Sequence, residues 1–175
     1  SPPPAEPDWC LRPLQASDID GLMAVQAACY PPDYLEDAAL YAQRLGSAHQ
    51  QSLGIECRRT QRLQAYAAAY WSNPGQVTPL RGGFAAPAPG EQLLYLHDMA
   101  VAPDWAGRGA ARRLLDGLFQ RARAHGLRAA ALVSVQGSQP YWTRQGFVRQ
   151  ELPTGPQREN LLSYGEDAVY MLAAL

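Results

Sequence analysis

Leu93-Leu94-Tyr95-Leu96-His97-Asp98-Met99-Ala100-Val101, then Ala102-Pro103-Asp104-Trp105-Ala106, then Gly107-Arg108-Gly109-Ala110-Ala111: this stretch decides the fold. Its first part reads as an apolar strand, its second as a turn, and its third as a glycine-bearing loop that opens a helix. A strand feeding such a loop is an anion site in physical terms. The backbone N–H groups of the turn and the positive end of the helix face one point. Gly107 and Gly109 leave no Cβ in the way of a phosphate, and Arg108, Arg112 and Arg113 supply cations for its oxygens. The dinucleotide fingerprint fails here for want of a third glycine, and the nucleotide P-loop for want of a Gly-Lys-Ser/Thr ending.

Downstream, the helix runs to His125 and is closed by Gly126, with Leu114, Leu115, Leu118, Phe119 and Ala122 as its packing face. Leu127 to Val135 reads as a further buried strand, Ser138 to Gln145 as a short helix, Phe147 as the start of a strand and Ala168 to Leu172 as the last one. Upstream, Trp9 to Leu14 is a strand, followed by a helix capped by Ser17 and stopped by Pro31-Pro32. A second helix is expected over Leu35 to Leu45. Between Gln51 and Asn73 two strands form a hairpin about the turn Arg59-Thr60-Gln61-Arg62. From Pro74 to Glu91 the chain is a long Gly/Pro-rich loop. A hairpin followed by strand–helix–strand makes a mixed α/β sheet. The expected organisation is a flexible, proline-rich lead-in over residues 1–8 and a single domain over residues 9–175.

The run Leu94 to Ala111 resembles the central motif of the GNAT (GCN5-related) N-acetyltransferases, whose signature Arg/Gln-x-x-Gly-x-Gly/Ala falls on Ala106 to Ala111. Ala106 departs from the usual Arg or Gln. The later Tyr141-Trp142-Thr143-Arg144-Gln145-Gly146-Phe147 resembles the family's second motif, Phe-Tyr-x-x-x-Gly-Phe. The resemblance implies a central, mostly antiparallel sheet of six or seven strands flanked by about four helices. It also implies that the strands at Leu93–Val101 and Leu127–Val135 part at their ends to admit the pantetheine arm of acetyl-coenzyme A. Met99, Ala100 and Val101 would then lie along that arm, the first and last pairing with it through their backbone. The pyrophosphate would rest on Gly107, Arg108, Gly109, Ala110, Ala111 and Arg112, and Trp142 would pack against the cofactor.

The implied reaction moves an acetyl group to a primary amine, which must lose a proton before it attacks. Alternation across the strand puts Tyr95, His97, Met99 and Val101 on one face, and Leu96, Asp98 and Ala100 on the other. His97 is thereby expected on the acceptor side, and aralkylamine-type members of the family carry a histidine at its position. That makes it the candidate general base, with Asp98 structural; a bulge would exchange the two. Trp142 stands where the family often has a tyrosine to protonate the departing thiolate, and indole is no acid at neutral pH. The neighbouring Tyr141 is the substitute. Tyr30 and Tyr34, in a link that also carries Asp33, Glu36 and Asp37, are expected to line the acceptor pocket together with Trp71 and Tyr95. The acceptor is a small-molecule or peptide amine. A non-catalytic acyl-coenzyme A-binding module is the alternative.

Composition narrows the rest. Hydrophobic residues at 47% and charged residues at 18% describe a globular chain, and a formal net charge of −1 argues against nucleic acid as partner. Every basic side chain is arginine, the composition of a high-GC bacterial genome, so no lysine chemistry is available. Cys10, Cys29 and Cys57 lack metal-ligand spacing, so no metal is expected; scattered, reduced thiols fit the cytoplasm. No apolar run is long enough for a membrane, and the start does not read as a signal peptide. A homodimer is compatible with the family resemblance.

Overall fold

The computed structural model of the chain describes residues 1–3, 7–83 and 85–175. Pro4, Ala5 and Glu6 of the expected lead-in, and Phe84 of the long loop, lie outside the described residues. The elements follow in the order β1 (Trp9–Pro13), α1 (Ile19–Cys29), α2 (Ala38–Leu45), β2 (Leu53–Cys57), β3 (Leu63–Ser72), β4 (Leu93–Val101), α3 (Ala110–Ala124), β5 (Ala129–Ser134), α4 (Gln139–Arg144), β6 (Val148–Arg149), α5 (Pro156–Leu162) and β7 (Val169–Ala174). The strands form one seven-stranded sheet in the order β1-β2-β3-β4-β5-β7-β6. Every neighbouring pair is antiparallel except β4 and β5, which run parallel. Helix α5 was not expected. It begins with Pro156 at its first position, where a missing N–H costs nothing, inside a segment otherwise rich in turn residues.

Alternation along β3 explains how two layers of helix cover the sheet. Ala65, Ala67, Ala69 and Trp71 join one apolar cluster with Leu114, Leu115, Leu118 and Ala122 of α3. Tyr66 and Ala68 face the other side, with Leu22 and Val25 of α1 and Tyr41 of α2. The row of alanines lets α3 lie close to the sheet, and the helix buries the stripe its sequence presents. Its end is fixed by Gly126 at φ +84, with Leu127 N bonded to Ala122 O and Gly126 N to Arg123 O, each at 2.9 Å. That pair of bonds satisfies carbonyls the helix cannot reach by itself.

The helix starts upstream differ from expectation. A short 3₁₀ turn, Ala16–Asp18, leads into α1, so Asp18 rather than Ser17 stands at the N-cap position, with its side chain turned back to Gln15 instead of capping the helix. Its carboxylate accepts from Gln15 N and from both ends of the Arg12 guanidinium, each at 2.8 Å. Helix α2 begins at Ala38, with the Asp37 side chain accepting from Leu40 N at 2.8 Å. The residues before it are not helical: Pro32–Tyr34 form a 3₁₀ turn and Leu35 is extended. This delay swings Glu36 inward, where it is 3% exposed.

The decisive departure is in β4. Ala68 pairs with Asp98 but Ala69 with Leu96, so His97 is an extra residue, a bulge. Leu94 and Leu96 face α3, and Met99 and Val101 beyond the bulge face α3 as well. Tyr95 lies on the opposite face, and so does Ala100. The expected sharing of one face by Tyr95, His97, Met99 and Val101 is therefore corrected. The bulge turns the His97 ring toward Tyr70, Tyr95 and Tyr164, on the face away from α3.

The long loop is pinned by α5 and the turn that follows it. Gln157 Oε1 accepts from Val77 N at 2.7 Å, Asn160 Nδ2 donates to Val77 O at 2.9 Å, and Tyr164 donates to Thr78 O at 2.6 Å. Side chains thus supply the partners a neighbouring strand would otherwise give.

Candidate active site

Pairing between β4 and β5 covers Leu94–Ala130, Tyr95–Ala131 and Leu96–Leu132 and then stops. Beyond it, β4 continues along β3 to Val101 and β5 along β7 to Ser134. The two strands have parted, and a cavity of about 300 Å³ opens between them. It is lined on the β4 side by His97, Asp98 and Met99 and on the β5 side by Leu132, Val133 and Ser138.

Backbone direction decides which residues can meet a ligand along the slot. Ala102 N donates to Gln64 O at 2.8 Å, so by alternation Ala100 turns its backbone groups to β3. Met99 and Val101 turn theirs to the open edge. Two side chains of the α1 end meet them there: the Tyr30 hydroxyl donates to Met99 O at 3.0 Å and Cys29 Sγ to Val101 O at 3.1 Å. The expected contact of Ala100 with the cofactor is corrected, since its side chain is buried with Tyr66 and Leu22.

At the far end of β4 the chain enters the glycine loop. Gly107 and Gly109 stand at φ +80 and +78, left-handed values that L side chains rarely adopt. Gly109 is the N-cap of α3 and has no side chain to cap it; the first helical bond is Arg113 N to Gly109 O at 3.1 Å. The N–H groups of Ala110, Ala111 and Arg112 are thus left for an outside acceptor. Arg108 lies over the Trp105 ring and Arg113 over Trp9, each at 4.6 Å, while Arg112 is exposed. A Cβ placed on Gly107 would meet no atom within 4 Å, so the space above this turn is open. The chemistry of uncapped donors beside arginines fits a pyrophosphate, and the parted strands fit an extended arm.

The bulge residue His97 is held from one side. Its Nε2 lies 2.7 Å from Glu36 Oε1, and its side chain is 2% exposed. Glu36 in turn receives Arg44 in a two-pronged pair, Nη1 to Oε1 and Nη2 to Oε2, both 2.8 Å, and the N–H of Arg81 at 2.8 Å. Gln26 clasps the Glu36 backbone from α1, with its amide donating to Glu36 O and accepting from Glu36 N at 2.9 Å. Burial pushes the Glu36 carboxyl up, but the bonds from Arg44 and His97 outweigh it and hold it well below the ordinary carboxylate range. An ionised carboxylate only accepts, so Nε2 is the donor in this contact. The remaining nitrogen, Nδ1, is buried without a hydrogen-bond partner.

Next to it, Asp98 Oδ2 accepts from Tyr41 at 2.6 Å and from Tyr66. Burial, and then the negative Asp98, raise Tyr30, Tyr41 and Tyr66 well above the usual phenol value, so all three stay protonated.

Of the residues expected here, Tyr30, Tyr34, His97, Met99, Tyr141 and Trp142 line the one cavity. Tyr141 and Trp142 meet edge to face with ring centroids 4.9 Å apart, so the short helix α4 presents both rather than only one. Burial raises the Tyr141 hydroxyl against the pull of Arg112 and Arg144. Trp71 is not part of the cavity: it sits on the α3 face, stacked on His125 at 4.8 Å. Tyr95 is corrected too. It is 1% exposed and stacks on Tyr70 at 5.4 Å, a layer beneath His97. Tyr164, whose carbonyl accepts from Tyr34 at 2.9 Å, lines the cavity and was not anticipated. Nor was Arg44; the signal available was one arginine on the short helix after a link rich in carboxylates.

The acetyltransferase (GNAT) family pattern matches residues 19–147. No similar protein was found among curated sequences. Solved structures with the same fold include the ribosomal-protein-S18-alanine N-acetyltransferase of Escherichia coli, 15% identical over 95% of this chain and 93% of that one, with a TM-score of 0.68. The GphF GNAT-like decarboxylase in complex with isobutyryl-CoA is 16% identical over 94% and 98%, with a TM-score of 0.74. The paia N-acetyltransferase of Thermoplasma acidophilum in complex with coenzyme A is 12% identical over 95% and 99%, with a TM-score of 0.65. The parted strands, the glycine turn and the matched pattern agree, and the chain belongs to the acetyltransferase (GNAT) family.

Proposed function

We propose that the protein is an N-acetyltransferase that moves the acetyl group of acetyl-coenzyme A directly to a primary amine. The observation that carries this reading is the parting of β4 from β5 into a cavity lined by His97, one of whose ring nitrogens is buried without a hydrogen-bond partner. The N–H groups of Gly109 to Arg112, with Arg108 and Arg112, hold the phosphates; Met99 and Val101 border the arm; Trp142 packs on it. Acetyl-coenzyme A supplies the thioester. His97 Nδ1 takes the proton from the acceptor ammonium, directly or through one water, while Nε2–H remains on Glu36. The freed amine forms its C–N bond as the C–S bond breaks, and Tyr141 gives its proton to the departing sulfur. The surplus N–H proton of the new amide passes through water to the Tyr141 oxygen, leaving amide, thiol and a His97 imidazolium that discharges to solvent.

Thermal unfolding with saturating acetyl-coenzyme A tests the first half. Ligand at about a hundred times its dissociation constant adds about 2.7 kcal/mol, a rise of about 5–11 °C in Tm for a domain of this size. Gly109→Glu, which puts a carboxylate into the cradle, is expected to abolish the rise. His97→Ala is expected to lower kcat by about 10²–10⁴-fold with coenzyme binding retained. Turnover indifferent to His97→Ala would remove the base, and no turnover with intact coenzyme binding would leave a non-catalytic acyl-coenzyme A module.

A further inference from the structure

The cavity holds an unbalanced charge. Among its lining residues are two carboxylates, Glu36 and Asp98, and no arginine. Glu36 is matched charge for charge by Arg44, whose guanidinium it holds with both oxygens. Asp98 has no such match. The partners of its Oδ2 are the hydroxyls of Tyr41 and Tyr66, neutral phenols, and among the described residues it makes no ion pair. A carboxylate in a largely apolar cavity with only neutral donors favours a cation as its missing partner. The surrounding walls suit one: Tyr30, Tyr34, Tyr141, Trp142 and Tyr164 offer ring faces.

Resting on the acyl-transfer reading above, we propose that Asp98 seats the ammonium of the acceptor, and that the acceptor is a primary amine with no carboxylate beside it. An alkyl or arylalkyl amine has this chemistry, and so does the N-terminus of a peptide. A free α-amino acid does not. Its carboxylate would enter a cavity with no arginine in its lining and with the unmatched carboxylate of Asp98 already there. His97, the residue before Asp98 in the chain, lines the same cavity, so the seated nitrogen is presented to the base from the strand that carries both.

Three probes of similar size test the rule on the wild-type protein with acetyl-coenzyme A: 2-phenylethylamine, phenylalaninamide and phenylalanine. Product formation by mass spectrometry is expected for the first or the second, with kcat/KM for phenylalanine lower by about a hundredfold or more. Turnover of the amine alone assigns small amines; turnover of the amide alone assigns peptide N-termini. Equal turnover of phenylalanine overturns the proposal. Asp98→Asn is expected to raise KM for the accepted probe by about tenfold or more, with kcat changing less; a KM unmoved in a folded variant overturns the role of Asp98. Should none of the three be acetylated, the transferase reading fails by itself. Calorimetric binding of the same probes to the coenzyme A-loaded protein then decides the charge rule. Preference for the amine or amide over phenylalanine upholds it, and equal binding or none overturns it.

Discussion

Glu36 does three things at once: it pairs with Arg44, accepts from the Arg81 backbone and fixes the His97 ring. Replacing it with glutamine leaves Arg44 buried without its counter-ion, which costs about 3–5 kcal/mol in comparable cases. Denaturant unfolding of Glu36→Gln checks this. The pH dependence has a definite sign. The folded carboxyl lies below its unfolded value of about 4.3, so its contribution is complete above that value and is lost as pH falls through it toward the folded one. Wild-type Tm is expected to drop on acidification below about pH 5 more steeply than that of Glu36→Gln. At this scale the sequence was half legible. His97 stood in a motif that marked it. Its partner is sixty-one residues away, in the link between α1 and α2. No local pattern specifies a contact between two segments that meet only through the extended turn before α2.

Among the elements, β4 and α3 were the most legible, because a run of apolar residues and a 3.6-residue stripe each leave a clear trace. Leu118 is 0% exposed on that stripe and is not itself among the cavity-lining residues. Leu118→Ala is expected to cost about 2–5 kcal/mol while leaving the dissociation constant of acetyl-coenzyme A unchanged. Chemical denaturation and a binding titration read the two separately. The bulge at His97 was foreseen only as a possibility, since one extra residue alters neither composition nor hydrophobicity. Its effect was large, because it reversed the faces of everything after it. Tyr95 and Met99, expected together, ended on opposite sides for this reason.

For the molecule as a whole, the order of strands and helices other than α5 followed from the sequence, and the two faces of the sheet then followed from alternation along β3. What did not follow was the closure of the long loop, whose attachments include α5 and the turn after it near the other end of the chain. Asn160→Ala removes one of them, the bond to Val77 O, at a cost of about 1 kcal/mol. Amide exchange is expected to quicken at Val77 and Leu80 well before any change at Ala130 or Ala131 in the core. Trp71, outside the cavity lining, makes the complementary case: Trp71→Ala is expected to lower stability by about 3–5 kcal/mol and leave the acceptor KM as it was.

The gap between β4 and β5 is a sheet left partly unzipped, and it cannot zip shut. β4 is tied to β3 out to Val101, and β5 to β7 along its full length, so closing the gap would tear one of those seams. An open strand edge is ordinarily a template for aggregation. Here the edge lies inside the molecule, out of reach of other chains, with Tyr30 and Cys29 standing as stoppers on two of its carbonyls. A guest entering the slot finds its berth already built, and little of its binding energy is spent on rearranging the host.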